Sequence, residues 1–135
     1  MKAKKILRVL AVCLVLAIAV AMAVSAATSS VELRKTMYYV SGASSAFSSA
    51  QATYRGTIYP DSTADCQIYL FGNTANGSTG ISSYIMRHGS SSDQHYQGGT
   101  YTASRYGVTS WYAYAQPSGS SSGTGGHCTE TVASK

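Results

Sequence analysis

The fold this sequence predicts is all-β, a small antiparallel β-sandwich of six or seven strands, and three observations predict it. Beyond residue 27, β-branched and aromatic residues alternate with Ser and Thr. Turn signals recur about every ten residues, and no window carries apolar residues at helical spacing over three turns. A small closed barrel fits the same pattern and is the alternative architecture. The pattern contains no internal repeat and does not define a strand order.

The first 27 residues stand apart from that pattern. A basic tip (Lys2, Lys4, Lys5, Arg8) precedes an apolar run from Val9 to Val24, and the small residues Ser25, Ala26 and Ala27 follow. This is the order of a bacterial-type secretory signal peptide. As a helix the run is about 24 Å long, short of the ~30 Å hydrocarbon core, so a cleaved signal helix over 1–27 is expected rather than a retained span. Residues 28–135 then form a single secreted, extracellular domain. It is associated with the envelope only through other contacts, or with the membrane only if the signal stays uncleaved.

Four of the ten Lys and Arg residues leave with the signal, while all five acidic residues remain. The remaining domain has six basic against five acidic side chains, a net +1. It therefore lacks the basic cluster that nucleic acid or an anionic surface would require.

The strands follow in order. Residues 31–40 put Val31, Leu33, Met37 and Tyr39 on one face, and residues 41–49 read as a loop. Residues 51–59 place Ala52, Tyr54, Gly56 and Ile58 together, before a turn at Pro60-Asp61-Ser62-Thr63. Residues 64–71 turn Cys66, Ile68 and Leu70 one way and Gln67, Tyr69 and Phe71 the other. Asn76-Gly77 marks a turn region over 73–80, and 81–88 is the next strand. The polar stretch 89–99 reads as a long loop. Residues 100–106 and 108–116 are two strands around Gly107, 117–126 is a Gly/Ser-rich loop, and 127–133 is the last strand. Cys13 lies within the signal, so Cys66 and Cys128 remain, and in an exported protein they predict one disulfide, with two unpaired thiols as the alternative.

Tyrosine is the clearest compositional signal: eleven Tyr, with one Trp and two Phe, all beyond the signal region. Flat rings stack on the apolar faces of sugars while Tyr hydroxyls meet sugar hydroxyls, so an exposed row of rings would be a glycan platform. The candidate ligand-binding residues are Tyr112, Tyr114, Tyr69, Phe71 and Tyr84. In Trp111-Tyr112-Ala113-Tyr114-Ala115 the two small alanines share a face with Trp111, which reads as the largest plug of the core.

His88, Asp93, His95 and His127 match no zinc spacing and read as solvated loop residues, so no metal is expected. The carboxylates are few and scattered, no G-x-S-x-G elbow occurs and no phosphate loop leads a strand into a helix. The chain is therefore expected to be a non-enzymatic extracellular binding protein without a cofactor, with cell-wall or environmental glycan, or a surface protein, as partner. Two alternatives are a secreted bacteriocin-like antagonist and a structural or adhesive envelope component that assembles through strand edges.

Overall fold

A computed structural model describes residues 27–43, 51–118 and 123–134. Residues 1–26 of the predicted signal peptide and parts of two predicted loops lie outside the described residues, while Ala27, its predicted last residue, begins the first strand. The described residues form eight strands and one helical turn: β1 (Ala27–Leu33), β2 (Val40–Ser41), β3 (Gln51–Ile58), β4 (Cys66–Thr74), β5 (Gly77–Met86), β6 (Gln94–Thr102), α1 (Ala103–Tyr106), β7 (Val108–Pro117) and β8 (Cys128–Ser134).

The strands form two antiparallel four-stranded sheets, in the orders β1-β8-β3-β6 and β2-β7-β4-β5. Consecutive strands mostly fall in different sheets or non-adjacent places, the interleaved order of an eight-stranded jelly roll. The sheets face one another without closing into a barrel. The sandwich prediction therefore holds.

Period-two alternation accounts for the inward faces. Ala52, Tyr54 and Ile58 of β3, Cys66, Ile68 and Leu70 of β4, and Trp111, Ala113 and Ala115 of β7 are all buried. Val31 and Leu33 of β1 and Cys128 and Val132 of β8 complete the opposing layer. Trp111 is fully buried, as the core reading of this residue expects.

Three local readings are corrected. The first predicted strand divides at a turn in which the Met37 N–H donates to the Arg34 carbonyl at 2.8 Å, and only Val40 and Ser41 resume pairing. The predicted loop at 89–99 is strand from Gln94 onward, because β3 supplies backbone partners for Gln94 through Gln97. Polar residues suffice there, since β6 is an edge strand with one face in water. Residues 103–106 form a helical turn instead of strand, closed by Gly107 in the left-handed conformation at φ 65°, a glycine role that avoids Cβ strain.

The β5/β6 side of the sandwich is filled by tyrosines. Tyr54 bonds Ser82 Oγ at 2.9 Å, Tyr101 donates to the same oxygen at 2.8 Å, and the Tyr96 ring lies 5.6 Å from the Tyr54 ring. Buried phenols need such partners. Gly98 on β6 makes room for this cluster, because a Cβ there would overlap the Tyr54 ring. Gly98→Ala is expected to cost about 2 kcal/mol through overpacking, read as a lowered urea midpoint with unchanged slope; an unaltered midpoint would show that the ring has room to move.

Candidate functional site

The outer face of β7 and β4 carries a continuous aromatic surface. The register pairs Gln67 with Gln116, Tyr69 with Tyr114, and Phe71 with Tyr112, giving three rows of two side chains across the strands. Phe71 and Tyr112 stack at 5.2 Å with an interplanar angle of 25°. Tyr69 meets Tyr114 edge-on at 5.6 Å, and Phe71 lies 5.6 Å from Tyr69 and 5.3 Å from Tyr114. Tyr39, just before β2, extends the row by stacking on Tyr114 at 5.8 Å and 12°, and it is 60% exposed.

Polar groups are fixed within this surface. Gln116 Nε2 donates to the Tyr69 hydroxyl at 3.0 Å, and the Tyr114 hydroxyl donates to Gln116 Oε1 at 3.4 Å. Gln67 Nε2 donates to Ser83 Oγ at 3.2 Å. On the β5 side, Phe71 is paired with Gly80, which leaves no side chain between the ring and solvent. Partial burial raises the pKa of Tyr69 and Tyr114 above the usual phenol value, so both remain protonated donors at neutral pH. The four β4/β7 rings are half-buried, and together with Tyr39 they offer ring faces, amides and hydroxyls on one side of the sheet.

Tyr84 does not belong to this surface. It pairs with Ile68, whose side chain points into the core, so Tyr84 lies on the inner side of β5. At that open edge it stacks on Tyr96, with centroids 3.7 Å apart and planes 6° from parallel, and it remains 44% exposed. Sequence alternation within β5 could not show this, because which β5 residues share a face with Tyr69 depends on the hairpin register and on a bulge beside Leu70 and Phe71. Tyr39, Gln116 and Gln67 join the surface without having been singled out; the Tyr38-Tyr39 tandem was the available signal for the first.

Beneath the platform lies Glu130 of β8, fully buried. Its Oε2 accepts the Tyr114 N–H at 3.0 Å across the sandwich. Its Oε1 makes no hydrogen bond of good geometry, although the Tyr69 N–H lies close enough to favour the ionised form. Burial dominates and pushes the carboxyl up to about 9, so Glu130 is neutral at pH 7.

Cys66 of β4 and Cys128 of β8 are both fully buried and come from opposite sheets. The fold does bring the pair together, as the two-cysteine arithmetic requires. The close approach of Cys66, together with burial, pushes the Cys128 thiol's pKa up.

The histidines do not converge. His88 Nδ1 lies 2.6 Å from Asp65, His127 Nδ1 lies 2.6 Å from Asp61, and His95 Nδ1 lies 2.8 Å from Thr57 Oγ1. Asp65 also accepts the His88 backbone N–H and the Arg87 guanidinium, and these bonds hold its pKa at about 2. Among the described residues, no three His, Cys, Asp or Glu side chains form a group able to hold a metal ion.

No family model and no curated protein sequence matches the chain. Solved structures that resemble it include the Yersinia pseudotuberculosis-derived mitogen, at 15% identity over 82% of this chain and 85% of that one, with a TM-score of 0.42. A cowpea mosaic virus top-component chain matches at 8% identity over 81% of this chain and 80% of its own, TM-score 0.46. A chain of Bacillus endospore appendages, described as disulfide-linked pili, matches at 10% identity over 82% and 85%, TM-score 0.44. All three TM-scores are low, and the functional reading rests on this chain's own side chains.

Proposed function

We propose that this is an exported, non-enzymatic binding protein whose outer β7/β4 face takes a glycan of the cell wall or the surroundings. The single observation that carries the reading is the row Tyr39, Tyr114, Tyr69, Phe71 and Tyr112, ring against ring on the solvent side of one sheet. Such rings stack on the apolar faces of sugars. The Gln116 amide, held between two phenols, presents donors and acceptors to sugar hydroxyls at their edge.

Residues 27–134 contain every strand of both sheets and the whole described core, so the binding test uses residues 27–135. The protein is expected to be retained on peptidoglycan or on a member of a panel of insoluble polysaccharides. The Tyr112→Ala/Tyr114→Ala variant loses two ring contacts of about 1 kcal/mol each beyond their buried area, which lowers affinity at least tenfold. Retention that survives the double substitution, with both proteins folded by circular dichroism, would reject the aromatic face as the site.

A second reading has one observation in its favour. The edge strand β5 runs ten residues from Gly77 to Met86 without a charged side chain or proline, so its free edge can accept a strand of another copy. Concentration-dependent oligomers in sedimentation would support an assembling envelope component, and a strict monomer would remove it.

A further inference from the structure

The opposite outer face, on the β1-β8-β3-β6 sheet, has a different chemistry. A groove of about 500 Å³ runs over β8, β3 and β6, lined by Arg55, Thr57, His95, Gln97, Thr129 and Thr131 among others. The register explains the grouping. Thr131, Arg55 and Gln97 form one cross-strand row, and Thr129, Thr57 and His95 form the next. Cross-strand neighbours lie about 4.8 Å apart, so one sugar-sized ligand reaches side chains of both rows.

Arg55 is unusual among the cations. Among the described residues, Arg34 pairs with Glu32, Lys35 with Asp61 and Arg87 with Asp65, while Arg105 lies over the Tyr106 ring. Among the described residues Arg55 has no carboxylate, hydrogen-bond or ring partner, and no acidic side chain lines the groove. Glu32 lies on the same face beyond Thr129, but it is engaged by Arg34 at 3.1 Å and by His127 at 3.5 Å. An unpaired guanidinium presents a donor fork that matches a carboxylate bidentately.

The surrounding groups are polar donors and acceptors, two of them already held by hydrogen bonds. Thr57 Oγ1 lies 2.8 Å from His95 Nδ1, and Thr131 Oγ1 bonds Ser30 Oγ at 3.0 Å. Hydroxyls, an amide and an imidazole around one cation fit a polyhydroxylated anion. We infer that this groove is a second ligand site, which takes the carboxylate of an acidic saccharide on Arg55 and its hydroxyls on Thr57, His95, Gln97 and Thr131. The site is separate from the aromatic face, so either can fail without the other.

The test is calorimetric titration of residues 27–135, at physiological ionic strength, with an oligogalacturonate, its methyl ester and a sulfated dextran oligomer of similar length. The acid form is expected to bind, with the ester about tenfold weaker or worse, because the ester keeps every hydroxyl and loses only the charge that Arg55 reads. Arg55→Gln should bring the acid form down to the level of the ester, and the same acid-to-ester difference is expected in the Tyr112→Ala/Tyr114→Ala background, where stacking on the aromatic face no longer contributes. Arg55 is exposed on the sheet surface, and the ester comparison needs no substitution at all. Equal binding of acid and ester, acid binding indifferent to Arg55→Gln, or no heat with the acid form would each overturn the site. Tighter binding of the sulfated oligomer would overturn the carboxylate assignment, and if Arg55→Gln left that binding intact it would reduce the groove to diffuse charge attraction.

Discussion

Trp111→Ala is expected to remove most of the domain's stability, about 4 kcal/mol by urea unfolding. Large-to-small changes of a buried Trp cost roughly 3–5 kcal/mol, and the upper part of that range applies where neighbours cannot refill the void. That condition is met here. Trp111 is fully buried, Ala113 and Ala115 follow it on the inner face of β7, and its cross-strand partner on β4 is Gly72. None of these has a side chain long enough to reach into the space of an indole. Against a net stability of about 5–15 kcal/mol for a domain of this kind, such a loss leaves a marginal fold or none. Trp111→Phe keeps part of the volume and is expected to lose about half as much. Far-ultraviolet circular dichroism follows both variants, since the only Trp is removed. A loss below about 1 kcal/mol for Trp111→Ala would place the indole outside the load of the core.

The inward position of Trp111 was legible in the sequence for the same reason that much of the core was. Side chains alternate strictly along a strand, so Ala52/Tyr54/Ile58, Cys66/Ile68/Leu70 and Trp111/Ala113/Ala115 declare their common faces locally. Which faces meet is a different matter. The aromatic surface exists because β4 pairs with β7, which places Phe71 opposite Tyr112, forty-one residues further along the chain. Such pairing is set by tertiary packing and by the twist of two sheets, neither of which leaves a mark within ten residues of sequence.

Tyr84 shows the cost of that gap. Its composition and alternation match those of Tyr69, yet its pairing with Ile68 puts it against Tyr96 on the other side of the sheet. β6 was hidden for a related reason: Gln94 to Gln97 have no apolar alternation to announce a strand, and only the β3 edge makes them one. Arg55 could be placed on an outer face by parity, but its lack of a partner emerges only after every carboxylate has been assigned.

Stability is expected to fall as pH rises from about 5 toward 9, with Glu130 as the cause. Its carboxyl has a folded-state pKa of about 9 against an ordinary 4.5. Between those values the folded protein holds a proton that the unfolded chain has released, so fewer protons are bound on unfolding and stability decreases with pH, at most about 1.4 kcal/mol per unit. Over two or three units the loss reaches about 3 kcal/mol. The other carboxylates act elsewhere: Asp65 is held at about 2 by His88 and Arg87, and the stability it contributes is complete above about 4 and is lost only as pH falls toward 2. Their opposite signs put the optimum near pH 5.

Glu130→Gln isolates the effect. An amide oxygen can still accept the Tyr114 N–H that Oε2 now binds at 3.0 Å, while the group can no longer ionise. The variant should be nearly flat between pH 5 and 8 and more stable than the parent at pH 8 by about 2–3 kcal/mol. A parent whose urea midpoint does not move over that range, or a variant weaker at every pH, would show instead that Glu130 is ionised and held by its partners. The experiment also reaches the platform, because the Tyr69 and Tyr114 N–H groups that face this carboxyl belong to the strands whose outer sides carry the rings. A neutral Glu130 accepts the Tyr114 N–H of β7 from within without placing a charge beneath the platform.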